Sequence, residues 1–297
     1  MVKKVIFSAK KDHDVIKDVS QKLKEFQNIK FIFHDPSQDF LDLENMEKSF
    51  GDIDFFVVKV GSECSLDLLH FAKIHNIPCL HDIDAVLTCK NKVALDCKLR
   101  NIFLKNSNEL KKFCLPKSWT QTLLNVDEFK EWAFPRLPIV IKSHYQQDKY
   151  NRFNFLVRRI DEVDEFCKLY SNLINYDVYI QEFVECDGID RKVYVVGNQI
   201  FGIKRANPIY IFLREQVKYI DVDVIERESY EITDDVRYLA ELLSKELKLK
   251  IFGFDLIKPL NQNYYYLIDL NEFPGFRGIK NIENVLAEFI YEYINLR

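Results

Sequence analysis

Glycine is scarce in this chain, with eight residues in 297 where proteins usually carry ~7%. The scarcity removes the common phosphate loops. There is no G-x-x-x-x-G-K-[ST] run and no G-x-G-x-x-G, so neither glycine-rich nucleotide cradle applies. No H-E-x-x-H occurs, the six histidines show no metal spacing, and a G-x-S-x-G nucleophile elbow is missing. No apolar run approaches the ~18–20 residues that cross a bilayer, so no membrane partner is expected. The opening Met1–Phe7 is too short an apolar stretch for a signal peptide and reads as a first strand. Basic residues are outnumbered, 42 Lys and Arg against 46 Asp and Glu, which argues against a nucleic-acid partner. Seven cysteines, an odd number without a C-x-x-C pair, predict free thiols in a reducing cytoplasm.

What is present is a well-stocked core. The chain is 47% hydrophobic and 14% aromatic, which excludes disorder and suggests two or three domains at ~100–200 residues each. Strand Val2–Phe7 precedes Asp12–Phe26, where Val15, Val19, Leu23 and Phe26 recur at helical spacing. Strands at Lys30–Phe33 and Asp54–Val60, a helix at Ser65–His75 and a short strand at Pro78–His81 follow. This βαβ alternation predicts a parallel sheet. A helical connector runs from Ala85 to about Leu104. Next come helix Val126–Trp132, strands Ile139–Lys142 and Phe155–Arg159, helix Asp161–Leu173 and strand Val178–Val184. The last part opens with Lys192–Val196 and Gln199–Lys204 around Gly197-Asn198, a hairpin signal. Helix Asp234–Leu247, strands Ile251–Ile257 and Tyr264–Leu270, and an amphipathic helix over Ile282–Ile294 complete a half that reads as antiparallel sheet with helices. The fold class is therefore mixed, α/β followed by α+β.

Chemistry concentrates on the last hairpin. Asp255 interrupts an apolar strand, and Asp269 and Asn271 lie two apart on the facing one, so they share a face. If Asp255 joins that face, two carboxylates and an amide oxygen converge. Like charges on a sheet face are destabilising unless a cation or proton neutralises them. A hard cation with oxygen ligands, Mg²⁺ bridging phosphates, suits that set. Gly275 and Gly278, two of the eight glycines, fall within four residues, and the helix near Gly278 is expected to offer N–H groups to an anion.

The run Ile268-Asp269-Leu270-Asn271-Glu272-Phe273-Pro274-Gly275, with Asp255 before it, resembles the metal-binding end of ATP-grasp enzymes. Leu137–Lys142 resembles the strand whose lysine contacts nucleotide phosphates, and Tyr179–Val184 the hinge that cradles adenine. Lys90 and Lys92 fall where the fold often has a further basic contact. Two subfamilies compete. Ribosomal-protein glutamate ligases, which join carboxylates to amines through an acyl phosphate, share the terminal D-x-N-x-x-P-G. The inositol 1,3,4-trisphosphate 5/6-kinase family is more similar, favouring Asp-x-Asn-x-Phe-Pro-Gly, and resembles Lys192–Gly197 followed eight residues on by Arg205. Asp52–Lys59 resembles its strand ending in a substrate lysine, and Lys10 or Lys11 matches another. The loop after Lys142 departs from the family, with Gln147 and Arg152 in place of its histidines and no glycine.

The resemblance implies an ATP-grasp fold divided into a substrate-side unit at 1–83, a connector at 84–116, a lid at 117–180 and a metal-bearing unit at 181–297. It implies an ATP-dependent, monomeric kinase that phosphorylates a hydroxyl of an inositol phosphate. Asp255, Asp269 and Asn271 would hold one or two Mg²⁺. Lys90, Lys92, Lys142, Gln181, Glu182, Val184 and Asn207 would contact ATP. Lys10, Lys11, Lys59, Arg152, Lys192, Arg205, Asn271 and Gly275 would contact the substrate, with Lys192 and Arg205 nearest the transferred group.

Overall fold

The computed structural model describes residues 2–297 except 12–13, 146–152, 174, 216–219 and 223. Gln147 and Arg152 therefore lie outside the described residues. The chain begins with β1 (Lys3–Ser8), α1 (Asp14–Leu23), β2 (Ile29–His34), α2 (Met46–Phe50), β3 (Phe55–Val58) and α3 (Glu63–Ile74). The three strands make a parallel sheet in the order β2-β1-β3. β3 is buried along its whole length, as a continuous apolar run in a covered parallel sheet should be. The strand expected at Pro78–His81 shrinks to one bridge between Phe56 and Cys79, because proline cannot donate to a ladder.

The helical connector divides into α4 (Ile83–Lys90) and α5 (Lys92–Lys105). Asn91 makes the break, since its side-chain oxygen accepts from the backbone N–H groups of Val93 and Ala94 and caps α5. A two-residue strand β4 (Phe113–Cys114) follows, then β5 (Ser118–Thr122), α6 (Val126–Ala133), β6 (Ile139–Lys142), β7 (Asn154–Val157), α7 (Glu162–Leu169) and β8 (Asp177–Glu182). These form a second sheet, β5-β8-β6-β7, with Phe129 and Phe166 of its helices packed on Ile139, Ile141 and Ile180. The periodicity over 161–173 yields a shorter helix, α7, and a separate 3₁₀ turn at Ser171–Leu173.

The largest sheet uses β9 (Ile189–Val196), β10 (Gln199–Ala206), β11 (Arg227–Ser229), β12 (Ile251–Ile257) and β13 (Tyr265–Glu272), with α8 (Pro208–Glu215) and α9 (Asp234–Leu247) in the connections and α10 (Ile282–Asn295) at the end. Its order is β11-β10-β9-β12-β13-β4, antiparallel from β11 to β13 and parallel only at β4. Gly197, at φ +59°, makes the β9–β10 turn, and any side chain there would run into Phe289. One face is sealed by α9, where Leu239 and Leu243 pack against Val193, Val195, Phe252, Phe254 and Leu256. α10 joins the first sheet to this one through a shared core that includes Val5, Phe7, Leu286, Ile290 and Ile294. The face not covered by α9 carries the polar residues described below. All seven cysteines are free thiols, and among the described residues no helix is long and apolar enough to cross a membrane.

Phe254 is 1% exposed within this core. Phe254→Ala is expected to cost about 3–5 kcal/mol, measured as a fall in the urea midpoint, and a cost under about 1 kcal/mol would contradict this packing.

Candidate active site

Strand register places the functional groups in rows across one face of the large sheet. Arg227, Arg205 and Asp190 face one another on β11, β10 and β9. Two residues along, Lys192, Asp255 and Asp269 align on β9, β12 and β13. Two further along, Tyr194, Gly253 and Asn271 complete a third row. Directly opposed residues share a face, so Asp255 does join Asp269 and Asn271. The register slips after this point, with Leu256 opposite Leu267, which leaves Ile268 as the extra residue of a bulge. Bulges re-aim groups beside sites. Here the carbonyl of Ile268 accepts from Lys142 Nζ of the second sheet at 3.3 Å.

Each acidic group has a basic partner. Lys192 Nζ meets Asp255 Oδ2 at 2.5 Å, Lys92 pairs with Asp269, and Lys90 Nζ lies 2.6 Å from Glu272 Oε1. Arg205 Nη2 donates to Asp190 Oδ2 at 3.4 Å. All of these side chains are at most 20% exposed. Desolvating charges is costly, and removing one partner from such a pair costs more than the pair contributes. Burial, followed by the nearby Asp255, raises the Asp190 carboxyl above its ordinary value. Burial is the largest influence and would lower the Lys192 ammonium, but Asp255, Asp190 and Tyr194 together outweigh it and hold that group above the usual lysine range.

Two lysines are shifted the other way. Lys142 also donates to Gln181 Oε1 at 2.6 Å, and burial with the neighbouring Lys92 pushes its pKa down to about 8. Lys59, just past β3, donates to the carbonyls of Phe273 and Pro274 and lies 5.4 Å from the Phe273 ring centroid. Burial and the charge of Lys90 push it down to about 8 as well.

The turn after β13 folds back over the sheet. Pro274 sits so close to Gly253 that a Cβ at 253 would come within 3.1 Å of its ring and 2.9 Å of Tyr194. Phe273 and Phe276 adopt positive φ, and Gly278 lies at φ +92°. The helix expected near Gly278 starts later, at Ile282, so the segment around Gly278 is turn rather than helix N-terminus. Between turn and sheet lies a cleft of about 340 Å³, bordered by Lys59, Lys192, Arg205, Asp255, Asn271 and Gly275 among others.

Of the four cations expected to converge, Lys59, Lys192 and Arg205 border this cleft and Lys10 does not. The stem of Lys10 packs on Gly61, and Lys11 lies over the Phe33 ring, 5.6 Å from its centroid. Asn207 is committed to the fold. Its Oδ1 accepts from the N–H groups of Ile209 and Tyr210 at the start of α8, and its Nδ2 donates to Asp190 Oδ1 at 2.6 Å. Glu182 accepts from the Lys117 backbone, and Val184 lies just beyond β8. Sequence reading missed Asp190, Glu272, Arg227 and Arg277. For Asp190 a signal existed, because Asp190-x-Lys192 in a strand places both on one face. Arg227 had none, since β11 is only three residues long.

Among the described residues no group of three His, Cys, Asp or Glu could by itself enclose a metal. Two carboxylates and one amide oxygen form a partial oxygen shell, which fits Mg²⁺ completed by substrate phosphates and water. Lys59 provides a test of the electrostatics. Its folded pKa lies below the unfolded value, so the cost of its charge is fully present below about pH 8 and is relieved as pH rises towards 10.5. The stability of the parent relative to Lys59→Met should therefore increase between pH 8 and 10 in thermal melts, and a flat difference would contradict the buried ammonium.

Comparison with known proteins fits this geometry. Residues 213–292 match the family model described as the inositol 1,3,4-trisphosphate 5/6-kinase ATP-grasp domain. An inositol-tetrakisphosphate 1-kinase 2 from rice (Oryza sativa subsp. indica) is 28% identical over 137 residues, covering 40% of this chain and 39% of the relative. The chain thus matches about two fifths of that protein's length. An inositol-tetrakisphosphate 1-kinase 3 from Arabidopsis thaliana is 26% identical over 266 residues, covering 80% of this chain and 70% of the relative. Among solved structures, a RimK domain ATP-grasp protein from Sphaerobacter thermophilus superposes with a TM-score of 0.70 at 13% identity, covering 98% and 99% of the two chains. D-alanine–D-alanine ligase from Bacillus anthracis complexed with ATP gives 0.66 at 14% identity, covering 100% and 98%. The chain has an ATP-grasp fold and is similar to the inositol 1,3,4-trisphosphate 5/6-kinase family.

Proposed function

We propose that this chain is an inositol phosphate kinase, which transfers the γ-phosphoryl group of ATP to a ring hydroxyl. The observation that carries this reading is the adjacency of two features. Asp255 and Asn271, with Asp269 paired opposite Asp255 on β13, border a cleft whose other walls include Lys59, Lys192, Arg205, Arg227 and Arg277. Both a carboxylate–amine ligase and a kinase need the first feature, and an anionic acceptor gives the cations of the second feature a role beyond pairing with the acids of the site.

Phosphoryl transfer asks a protein mainly for in-line positioning and charge neutralisation. Asp255, Asp269 and Asn271 would hold magnesium, which supplies charge neutralisation on the phosphates of ATP. Lys142 and Lys92, from the second sheet and α5, would bind nucleotide phosphates, with Gln181, Glu182 and Val184 beside the adenine. Lys192, now on Asp255, and Arg205 would hold the ring phosphates nearest the reacting oxygen. The hydroxyl oxygen forms the new P–O bond, ADP leaves, and the hydroxyl proton goes to solvent. Tyr194, Pro274 and Phe276 give the same cleft its apolar lining.

ADP release measured across inositol phosphates tests the proposal, with phosphate-free inositol and amine acceptors as comparisons. Turnover should need a phosphorylated ring, and Asp269→Ala should lower it by about 10²-fold or more. Turnover that depends on an amine, or that is equal with unphosphorylated inositol, would overturn it.

A further inference from the structure

Lys142, assigned to the nucleotide phosphates, stands at one end of a chain of side-chain hydrogen bonds. Its Nζ donates to Gln181 Oε1 at 2.6 Å and to the Ile268 carbonyl at 3.3 Å. On the other side of the same amide, Gln181 Nε2 donates to the Tyr179 hydroxyl at 3.3 Å. Tyr179 in turn donates to Asp96 Oδ1 on α5 at 2.9 Å. Asp96 is held by Arg100, one turn further along α5, whose Nε reaches Asp96 Oδ2 at 2.7 Å. Arg100 Nη2 also donates to the Pro116 carbonyl and to Ser118 Oγ, where β5 begins. The chain therefore runs from α5 into the second sheet and ends on the lysine.

Chemistry at the two ends sets the direction of every bond. An ammonium only donates and an ionised carboxylate only accepts. Lys142 requires the oxygen of the Gln181 amide, which turns the amide nitrogen toward Tyr179. The Tyr179 oxygen receives that N–H and sends its own proton to Asp96. Burial, followed by the charge of Asp96, raises the Tyr179 hydroxyl above its ordinary value, so it keeps the proton it donates. Tyr179 and Gln181 are 5% and 6% exposed, and bonds in such a shielded chain polarise one another. The same helix begins with Lys92, which pairs with Asp269. One helix thus places Lys92 directly and reaches Lys142 through the sheet.

We propose that Asp96 and Tyr179 are positioning residues for phosphoryl transfer, which act through Gln181 to aim the Lys142 ammonium at the phosphates of ATP. This rests on the phosphate role given to Lys142 and goes beyond it. It adds Tyr179, which bonds Gln181 rather than the ammonium, and Asp96, one bond further back. Tyr179→Phe keeps the ring and removes only the hydroxyl, which frees the Gln181 amide to turn away from Lys142.

The test is calorimetric binding of two probes to the full chain, adenosine and a non-hydrolysable ATP analogue with Mg²⁺. Tyr179→Phe should weaken binding of the analogue about ten-fold while adenosine affinity stays unchanged, because only the analogue carries phosphates for Lys142. In a Lys142→Met background the same substitution should cost the analogue nothing further, as expected of residues that act in series. An equal loss for both probes, or a loss that persists in the Lys142→Met background, marks a purely structural role and overturns the relay. Unchanged analogue affinity in Tyr179→Phe overturns it too. If Tyr179→Phe does not fold, Asp96→Ala decides by the same measurements, since alanine suits a helix and removes the acceptor of the Tyr179 proton. Unchanged analogue affinity in Lys142→Met alone overturns the phosphate role of Lys142 and the relay with it. That outcome is distinct from a Lys142→Met that loses affinity beside a Tyr179→Phe that does not.

Discussion

The register between β9, β12 and β13 is the constraint on which the site depends. Because side chains alternate with a period of two, a slip of one residue would turn Asp255 or Asp269 into the apolar core under α9. The pairing is held by that core, where Phe252, Phe254 and Leu256 leave no space to shift. The same alternation that buries Val193 and Val195 therefore presents Asp190, Lys192 and Tyr194 on the other side. Packing on one face determines chemistry on the other.

Charge pairing solves the problem that this concentration of carboxylates creates. Asp255 and Asp269 on the face, and Glu272 at the end of β13, each meet a cation delivered from a different element: Lys192 from the neighbouring strand, Lys92 from the start of α5, Lys90 from the end of α4. The break at Asn91 allows one short sequence to serve two carboxylates. A lysine on a flexible stem can exchange a carboxylate for a phosphate at little strain, which an arginine fork does less readily.

Much of this was legible beforehand because it is local. Asp269-x-Asn271 within an apolar strand states its own geometry, and βαβ alternation with a later hairpin states the mixed fold. Elements without a hydrophobic period were not legible. β4 and β11 are too short to show one, and β5 reads Ser118-Trp119-Thr120-Gln121-Thr122, polar along its length. The placement of Lys10 and Asn207 also escaped prediction, since it depends on Gly61 and Asp190, which are distant in sequence or matter only through tertiary contact. Arg227 is the instructive case, an ordinary surface-looking arginine until its strand is paired with β10.

The central claim is that one sheet face joins a metal-binding carboxylate pair to a polyphosphate cleft. Its most direct test is to follow ATP radiolabelled in the γ-phosphoryl group, incubated with the protein, Mg²⁺ and an inositol polyphosphate. The account predicts that label appears on the inositol ring and that Asp255→Asn prevents it. Label released only as inorganic phosphate, with the ring unlabelled while an amine acceptor is consumed, would contradict it.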